Sequence, residues 1–131
     1  MSAVLGDSLT HSVIGAFFEV YNTLGFGFLE KLYGIALELE LLARGHQVAR
    51  QVQTTVKYKG QDLGTQRLDM IVDGKLVVEI KSTLELHAGA QRQVFNYLKG
   101  TGLGVGLLLH FGPKPKVYRQ TFKSKPPAVS I

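Results

Sequence analysis

Residues 66–82 read QRLDMIVDGKLVVEIKS, and this stretch carries the clearest structural pattern in the chain. Two runs rich in apolar and β-branched residues, 67–72 and 76–81, flank Asp73-Gly74, a dipeptide that favours a tight turn between paired strands. The pattern therefore predicts a β-hairpin from Arg67 to Lys81.

Three charged residues lie on this hairpin: Asp69 in the first strand, and Glu79 and Lys81 in the second. Because residues i and i+2 of a strand share a face, Glu79 and Lys81 point the same way. A two-residue turn would place Asp69 opposite Val78, with the two acids on opposite faces. A three-residue loop over 73–75, or a bulge, would place Asp69 opposite Glu79. The spacing alone leaves both registers open.

The second register would bring two carboxylates beside one ammonium group, which suits a hard divalent cation such as Mg²⁺ or Mn²⁺. Such a cation polarises a phosphodiester and supplies an activated water, and Lys81 would orient that water or offset charge on the phosphate. The same three residues also fit an ordinary solvated strand face with a cross-strand ion pair, because Asp followed by Glu-x-Lys is a loose pattern.

The rest of the chain alternates between helical and strand periodicity. Apolar residues at helical spacing predict a first helix over 7–24. A second helix that ends at Gly45 is predicted from Phe28, Leu32, Ile35/Ala36, Leu39 and Leu42. A third helix is predicted over 88–99, and further strands over 48–52, 54–58, 104–111 and 116–122. The order α-α-β-β-β-β-α-β-β predicts the α/β class: one domain over 1–131 with a mixed sheet flanked by helices, and a flexible tail over 124–131.

Composition excludes several classes of protein and of site. A chain of 131 residues with 45% hydrophobic and 19% charged residues can bury one core and is not a disordered polyampholyte. The absence of cysteine excludes disulfides, thiolate zinc sites, iron–sulfur clusters and thiol nucleophiles. Since there is neither a long apolar run nor a basic leader, we expect no membrane span, no secretory signal and a cytoplasmic location.

The net charge of +5 is distributed unevenly along the chain. All 10 acidic residues precede residue 86, whereas the remainder carries Lys and Arg alone. This asymmetry predicts a basic surface for a polyanion such as nucleic acid, although the same charges equally fit a solubilising surface. The candidate nucleic-acid-binding residues are Lys114, Lys116, Arg119, Lys123 and Lys125.

Several short motifs, taken together, resemble a known family. These are Gly27-Phe-Leu-Glu30-Lys-Leu-Tyr33, then Asp69 followed by Glu79-Ile80-Lys81, then QVFNYLKGTGLGVGLLLHFG over 93–112. In this order and spacing they resemble the GxxExxY family of small nucleases in the PD-(D/E)XK superfamily, and the resemblance extends to about Phe122. It implies a restriction-endonuclease-like core in which the acids of the hairpin bind a metal ion.

The resemblance also implies roles for residues outside the hairpin. Glu30 would approach the metal site together with Asp69 and Glu79, while Gln93 and Tyr97 would line it. Read from the residues alone, Glu30 fits the first turn of a helix, where a carboxylate is favoured by the dipole. Gln93 and Tyr97 are spaced i, i+4 and so share one helix face.

Two hypotheses of different class follow. The first is an Mg²⁺-dependent nuclease with Asp69 and Glu79 as metal ligands, Lys81 as the water-orienting group, and the site completed by Glu30, Gln93 and Tyr97. Its partner is nucleic acid; DNA is favoured over RNA, and the residues alone do not distinguish the two. The second is a catalytically silent module on the same fold that binds nucleic acid or a protein. Because the chain is small and has no recognisable DNA-reading domain, any specificity would come from a homodimer or a partner.

Overall fold

The computed structural model describes residues 2–123, with side chains described from residue 8. The tail over 124–131, with Lys125, lies outside the described residues. Residues 2–123 form three helices and five strands: α1 (Ser2–Leu24), α2 (Glu30–Ala43), β1 (Val48–Tyr58), β2 (Gln61–Val72), β3 (Leu76–Lys81), α3 (Ala90–Thr101), β4 (Val105–Phe111) and β5 (Pro115–Thr121). None of these helices combines the length and the apolar character needed to cross a bilayer.

The strands form one mixed sheet in the order β1-β2-β3-β4-β5. Every neighbouring pair is antiparallel except β3 and β4, which are parallel because α3 crosses over between them. The predicted α/β class, a mixed sheet flanked by helices, is confirmed. The runs 48–52 and 54–58, predicted as separate strands, are joined in the single strand β1.

The helices lie on both faces of the sheet. Helices α1 and α2 pack on one face, in a core that includes Phe17, Tyr33, Leu37, Met70, Val78 and Leu109. Helix α3 packs on the other face, in two smaller clusters that include Val77, Val94, Leu98 and Leu108. A Cβ at Gly106 of β4 would come within 2.7 Å of Val94 Cγ1, so the close approach of α3 to the sheet requires glycine there.

The face that α2 buries differs from the face that its spacing suggested. Of the residues whose periodicity predicted the helix, Ala36 is partly buried against the core, and the others are exposed: Phe28, Leu32, Ile35, Leu39 and Leu42. The core is instead contacted by Tyr33, Leu37 and Leu41, on the opposite side. Helix α2 is therefore apolar on two faces, of which it buries one.

The hairpin has the register with the three-residue loop. Val72 pairs with Leu76 and Met70 with Val78, which leaves 73–75 as the loop. Asp73 and Gly74 both adopt positive φ angles, 54° and 65°. The regular pairing ends at Met70 and Val78, and Asp69 and Glu79 are the next residues of the two strands.

Side chains from distant parts of the chain hold this loop. Asp73 Oδ1 accepts a hydrogen bond of 2.7 Å from the Gln47 N–H, and Asp73 Oδ2 lies 2.7 Å from His46 Nδ1. His46 Nε2 lies 2.7 Å from Ser12 Oγ, which completes a chain from α1 to the hairpin. Although burial acts to raise the pKa of Asp73, the hydrogen bonds from Gln47 and His46 hold it below its usual value.

The order Ser12, His46, Asp73 is also that of a hydrolytic triad, but its surroundings are not catalytic. Ser12 lies in the middle of α1, where the backbone N–H groups are used by the helix itself. The helix that carries Ser12 therefore offers its hydroxyl no pair of free backbone donors to stabilise an oxyanion. We interpret the three side chains as a tie that fixes the hairpin loop against α1.

Candidate active site

The hairpin brings Asp69, Glu79 and Lys81 together. The Glu79 side chain is only 6% exposed, and its Oε2 lies 3.5 Å from Lys81 Nζ. Asp69 Oδ2 accepts a hydrogen bond of 2.7 Å from the Ile80 N–H, which fixes its carboxylate beside Glu79. Two carboxylates and one ammonium group therefore meet at the end of the hairpin, close enough for the negative charge of Asp69 to act on Glu79.

The electrostatics of this cluster disfavour a second negative charge. Burial, with a further contribution from the neighbouring Asp69, raises the pKa of Glu79 to about 8, and Lys81 only partly counteracts this. In addition, Glu79 Oε1 is buried without a hydrogen-bond partner. A buried carboxylate oxygen with no partner is costly, and a cation beside it would remove that cost.

Helix α3 contributes Tyr97 and Gln93, one turn apart. Tyr97 is buried, and its pKa is raised by burial first and then by the negative charges of Glu79 and Asp69. Its hydroxyl therefore stays protonated beside the acids. Gln93 is exposed, and it lines an open cleft of about 640 Å³ together with Glu30 and Lys81.

Glu30 is the first residue of α2 and lies at the end of β3. Its Oε1 accepts a hydrogen bond of 3.2 Å from the Ser82 N–H, directly after the last residue of that strand. Glu30 also lines a small cavity of about 170 Å³ with Asp69. It therefore lines both the small cavity at Asp69 and the open cleft.

Tyr33 anchors the loop from which α2 starts. Its hydroxyl donates a 2.5 Å hydrogen bond to the Gly25 carbonyl and accepts one of 3.3 Å from the Phe28 N–H. Its ring stacks on Phe111 with a centroid distance of 4.0 Å. Within the same loop Gly27 has a φ of 103°, which side chains rarely tolerate. Gly27 and Tyr33 thus shape the loop, and Glu30 is the member of the motif that reaches the cleft.

The donor set fits a divalent cation held by two carboxylates. Within the part of the chain that the structure describes, no group of three or more His, Asp or Glu side chains lies close enough to share a metal ion. Glu30 is therefore not gathered with Asp69 and Glu79 into a three-ligand cluster. Asp69 and Glu79 alone, with one unpartnered buried oxygen, still fit Mg²⁺ or Mn²⁺, because Mg²⁺ takes one or two protein carboxylates and draws its other ligands from water and substrate.

The predicted nucleic-acid-binding residues lie apart from the cleft. Lys116 and Arg119 lie on β5, one of the two edge strands, and Lys114 and Lys123 flank it; all four are exposed. None of them lines the cleft that contains Glu30 and Lys81.

The residues that sequence reasoning missed are the other polar groups of the cleft. Arg92 and His87 line it beside Gln93 and Lys81, and the Arg92 guanidinium lies 4.6 Å from the centre of the Phe95 ring. The signal that could have identified Arg92 is its position on the exposed face of α3, adjacent to Gln93. Gln51, with a φ of 54°, stands opposite Asp69 in the register of β1 and β2, and nothing in the sequence indicates this strained backbone.

Comparison with known proteins adds a family and a fold. A family model described as the PD-(D/E)XK nuclease superfamily matches residues 7–122. A crystal structure of SSO0001 is similar, with a TM-score of 0.58 and 20% sequence identity over 73% of this chain and 52% of that one. The chain thus spans about half the length of that protein, and at this identity the likeness concerns the fold. A search of curated proteins gave no match.

Proposed function

The chain belongs to the PD-(D/E)XK nuclease superfamily, and we propose that it is a divalent-metal-dependent nuclease of the GxxExxY branch. The observation that carries this proposal is the meeting of Asp69 and Glu79 beside Lys81 on one rigid hairpin. A solvated strand face with a surface ion pair would not bury Glu79 or leave one of its oxygens without a partner.

Asp69 and Glu79 would hold Mg²⁺ or Mn²⁺. When bound, the ion supplies Lewis-acid activation of the phosphodiester and of water. Lys81, 3.5 Å from Glu79, holds a positive charge at the cleft wall, where it offsets the charge that develops on the phosphate. The protonated Tyr97 hydroxyl is a donor beside the acids, and Gln93 is placed to orient the substrate within the cleft.

The substrate of this proposal is nucleic acid, with DNA preferred to RNA. The exposed cations of β5 and its flanks, Lys114, Lys116, Arg119 and Lys123, would contact backbone phosphates away from the scissile bond. Arg92, which lines the cleft, would contact a phosphate next to that bond. Contacts of this type fix the position of a strand without reading its sequence.

The test is a cleavage assay with labelled single-stranded DNA, duplex DNA and RNA, each with Mg²⁺, Mn²⁺ or EDTA. We expect turnover with either metal ion and none with EDTA. Lys81→Ala should lower the cleavage rate by about 100-fold and leave affinity nearly unchanged, as is typical when one preorganised charge is lost. Lys75→Ala is the matched control, since it removes a lysine from the exposed loop of the same hairpin.

The assay also separates the two hypotheses. Binding of nucleic acid without metal-dependent turnover on any of the three substrates would contradict the nuclease and favour the silent binding module. Neither binding nor turnover would contradict both.

A further inference from the structure

The cleft that contains Lys81 continues into a second open cleft of about 480 Å³. The two clefts share Gln66 of β2 and Asn96 of α3, so together they form one groove that leads away from the candidate active site. The second cleft lies between the C-terminal half of α3 and the paired strands β1 and β2. We call the combined surface the α3 groove; the polar residues that line it include Lys81, Arg92, Gln66, Asn96, Lys99 and Lys57.

Strands β1 and β2 form one wall of the α3 groove because they extend beyond the rest of the sheet. Strand β3 pairs only with the last three residues of β2, whereas β1 pairs with β2 along nearly its whole length. The end of α3 lies on the part that β3 leaves free, where Gln66 Nε2 donates a hydrogen bond of 3.3 Å to the Asn96 carbonyl. A Cβ at Gly100 would come within 3.1 Å of both Gln66 Nε2 and Thr54 Oγ1, so α3 approaches the two strands closely there. Both walls of the groove are therefore regular secondary structure in direct contact.

The α3 groove is positively charged beyond the candidate active site. Arg92 and Lys99 of α3 and Lys57 of β1 line it, and all three are exposed. Among the described residues that line the two clefts, Glu30 is the one acid, and it lies at the end near Lys81. Asp62 Oδ1 lies 3.7 Å from Lys57 Nζ, but both side chains are more than 60% exposed, so this pair is weak. A groove with this distribution of charge attracts a polyanion.

The spacing of the polar residues on α3 suits the backbone of a nucleic-acid strand. Arg92, Asn96 and Lys99 follow one another at intervals of four and three, so they share one face of the helix. At a rise of 1.5 Å per residue, the two cations are about 10 Å apart along the helix axis. The phosphates of one B-form strand follow one another at about 3.4 Å, so this span covers about three of them. Between the cations, the amides of Gln66 and Asn96 offer hydrogen bonds to a strand without adding charge.

We propose that one strand of a nucleic acid leaves the candidate active site along the α3 groove, with its phosphates against Arg92, Lys99 and Lys57. The choice of nucleic acid as the polyanion rests on the proposed function, but binding in the groove does not require catalysis. Lys116 and Arg119 of β5 line neither cleft. The groove therefore assigns the part of the strand next to the scissile bond to α3 and the paired strands β1 and β2, and not to β5.

The first test measures binding by fluorescence anisotropy over a range of salt concentrations, with EDTA present so that the strand is not cut. The probe is labelled single-stranded DNA, duplex DNA or RNA, whichever the parent protein binds most tightly. Lys99→Gln should reduce the slope of log affinity against log salt concentration by roughly one unit, and Lys57→Gln/Lys99→Gln by roughly two, with a loss of affinity of about 10-fold for the double variant. Lys75→Gln is the matched control: it removes the same charge from an exposed residue that lines neither cleft, so the slope should not change.

The second test locates the strand directly, and it uses the absence of cysteine from the chain. A photoreactive azidophenacyl group is attached to a single introduced cysteine, and the labelled protein is irradiated with the same nucleic acid. Lys99→Cys should crosslink to the strand, and Lys75→Cys should not. Both residues are exposed, so neither replacement disturbs the core.

The outcomes separate this inference from the proposed nuclease. Crosslinking through Lys99→Cys and a reduced slope for Lys99→Gln support the groove even if no metal-dependent turnover is found, which would contradict the nuclease alone. If the protein cleaves nucleic acid but Lys99→Gln leaves the slope unchanged and Lys99→Cys does not crosslink, the groove is overturned and the nuclease is not. A protein that binds none of the three nucleic acids overturns the groove.

Discussion

Replacing Glu79 with glutamine should remove a pH-dependent loss of stability from the metal-free protein. The pKa of Glu79 is about 8 in the folded state and near 4.5 in the unfolded chain, so between these values the folded state binds the additional proton. Stability must therefore fall as pH rises from about 4.5 to about 8, and the loss is complete above pH 8. Glutamine has the shape of the protonated form and does not ionise.

The size of the effect follows from the same two values. At about 1.4 kcal/mol per pKa unit, a rise from 4.5 to about 8 corresponds to at most about 5 kcal/mol. Water that enters from the cleft would lower this to a few kcal/mol. Because a domain of this size is stable by about 5–15 kcal/mol, the loss is a large share of the whole and is easily measured.

The assay is urea unfolding at pH 5, 6, 7, 8 and 9 in EDTA, on the parent and on Glu79→Gln. The variant should become progressively more stable than the parent as pH rises, with no further gain above pH 8. Glu40→Gln is the control, because it removes a carboxylate from a partly exposed i, i+4 pair with Arg44 and should change stability by less than about 1 kcal/mol at any pH. Parallel pH profiles for the parent and Glu79→Gln would refute the buried, charge-disfavoured site.

Two further predictions concern the hairpin loop and the basic edge. Asp73→Ala should lower the free energy of unfolding by about 1–3 kcal/mol at pH 7, because the Gln47 N–H and His46 lose their acceptor. This loss of stability should shrink as pH falls below about 4, where the carboxylate of the parent protein becomes protonated. Equal losses at pH 7 and pH 3, measured by urea unfolding, would contradict this prediction. The second change neutralises the basic residues of β5 and its flanks: Lys114, Lys116, Arg119, Lys123 and Lys125. It should reduce the slope of log affinity against log salt concentration by roughly one unit per lost phosphate contact, without slowing the chemical step at saturating substrate. An unchanged slope, measured by fluorescence anisotropy, would show that these residues do not bind the substrate.

The strands of the hairpin could be predicted from sequence, but its register could not. Alternating and β-branched residues identify both strands, and Asp73-Gly74 identifies the turn. The choice between a two-residue and a three-residue loop depends on Asp73 bonding to His46 and Gln47, which lie 27 and 26 residues earlier in the chain. Spacing within the hairpin carries no information on such contacts.

Helix α2 shows that periodicity can identify a helix without identifying which of its faces is buried. Both the exposed face of α2 and the buried face repeat at helical spacing, so either set of residues predicts the helix; the exposed set is Leu32, Ile35, Leu39 and Leu42, and the buried set is Tyr33, Leu37 and Leu41. Which set is buried depends on where the sheet lies, and the periodicity of the helix carries no information on that.

The residues of the candidate site that belong to a sequence motif could be predicted, whereas those that only the fold brings into the cleft could not. Asp69, Glu79 and Lys81 follow from strand spacing and resemblance, and Glu30 from resemblance. In the sequence Arg92 is only one of the cations that follow residue 85, because the order of charges along the chain does not show which of them share a cleft.

The charges of the site explain how a cleft containing carboxylates can receive a polyanion. Near pH 7 the raised pKa keeps Glu79 largely protonated, so Asp69 and Lys81 carry opposite charges and the cluster is close to neutral. A fully ionised pair would repel an approaching phosphate, whereas the protonated site does not. A cation that binds between the acids must release this proton, because carboxylate ligands bind metal in their ionised form. In the nuclease that we propose, the burial of Glu79 would therefore couple the release of its proton to the binding of the cation and of the phosphate.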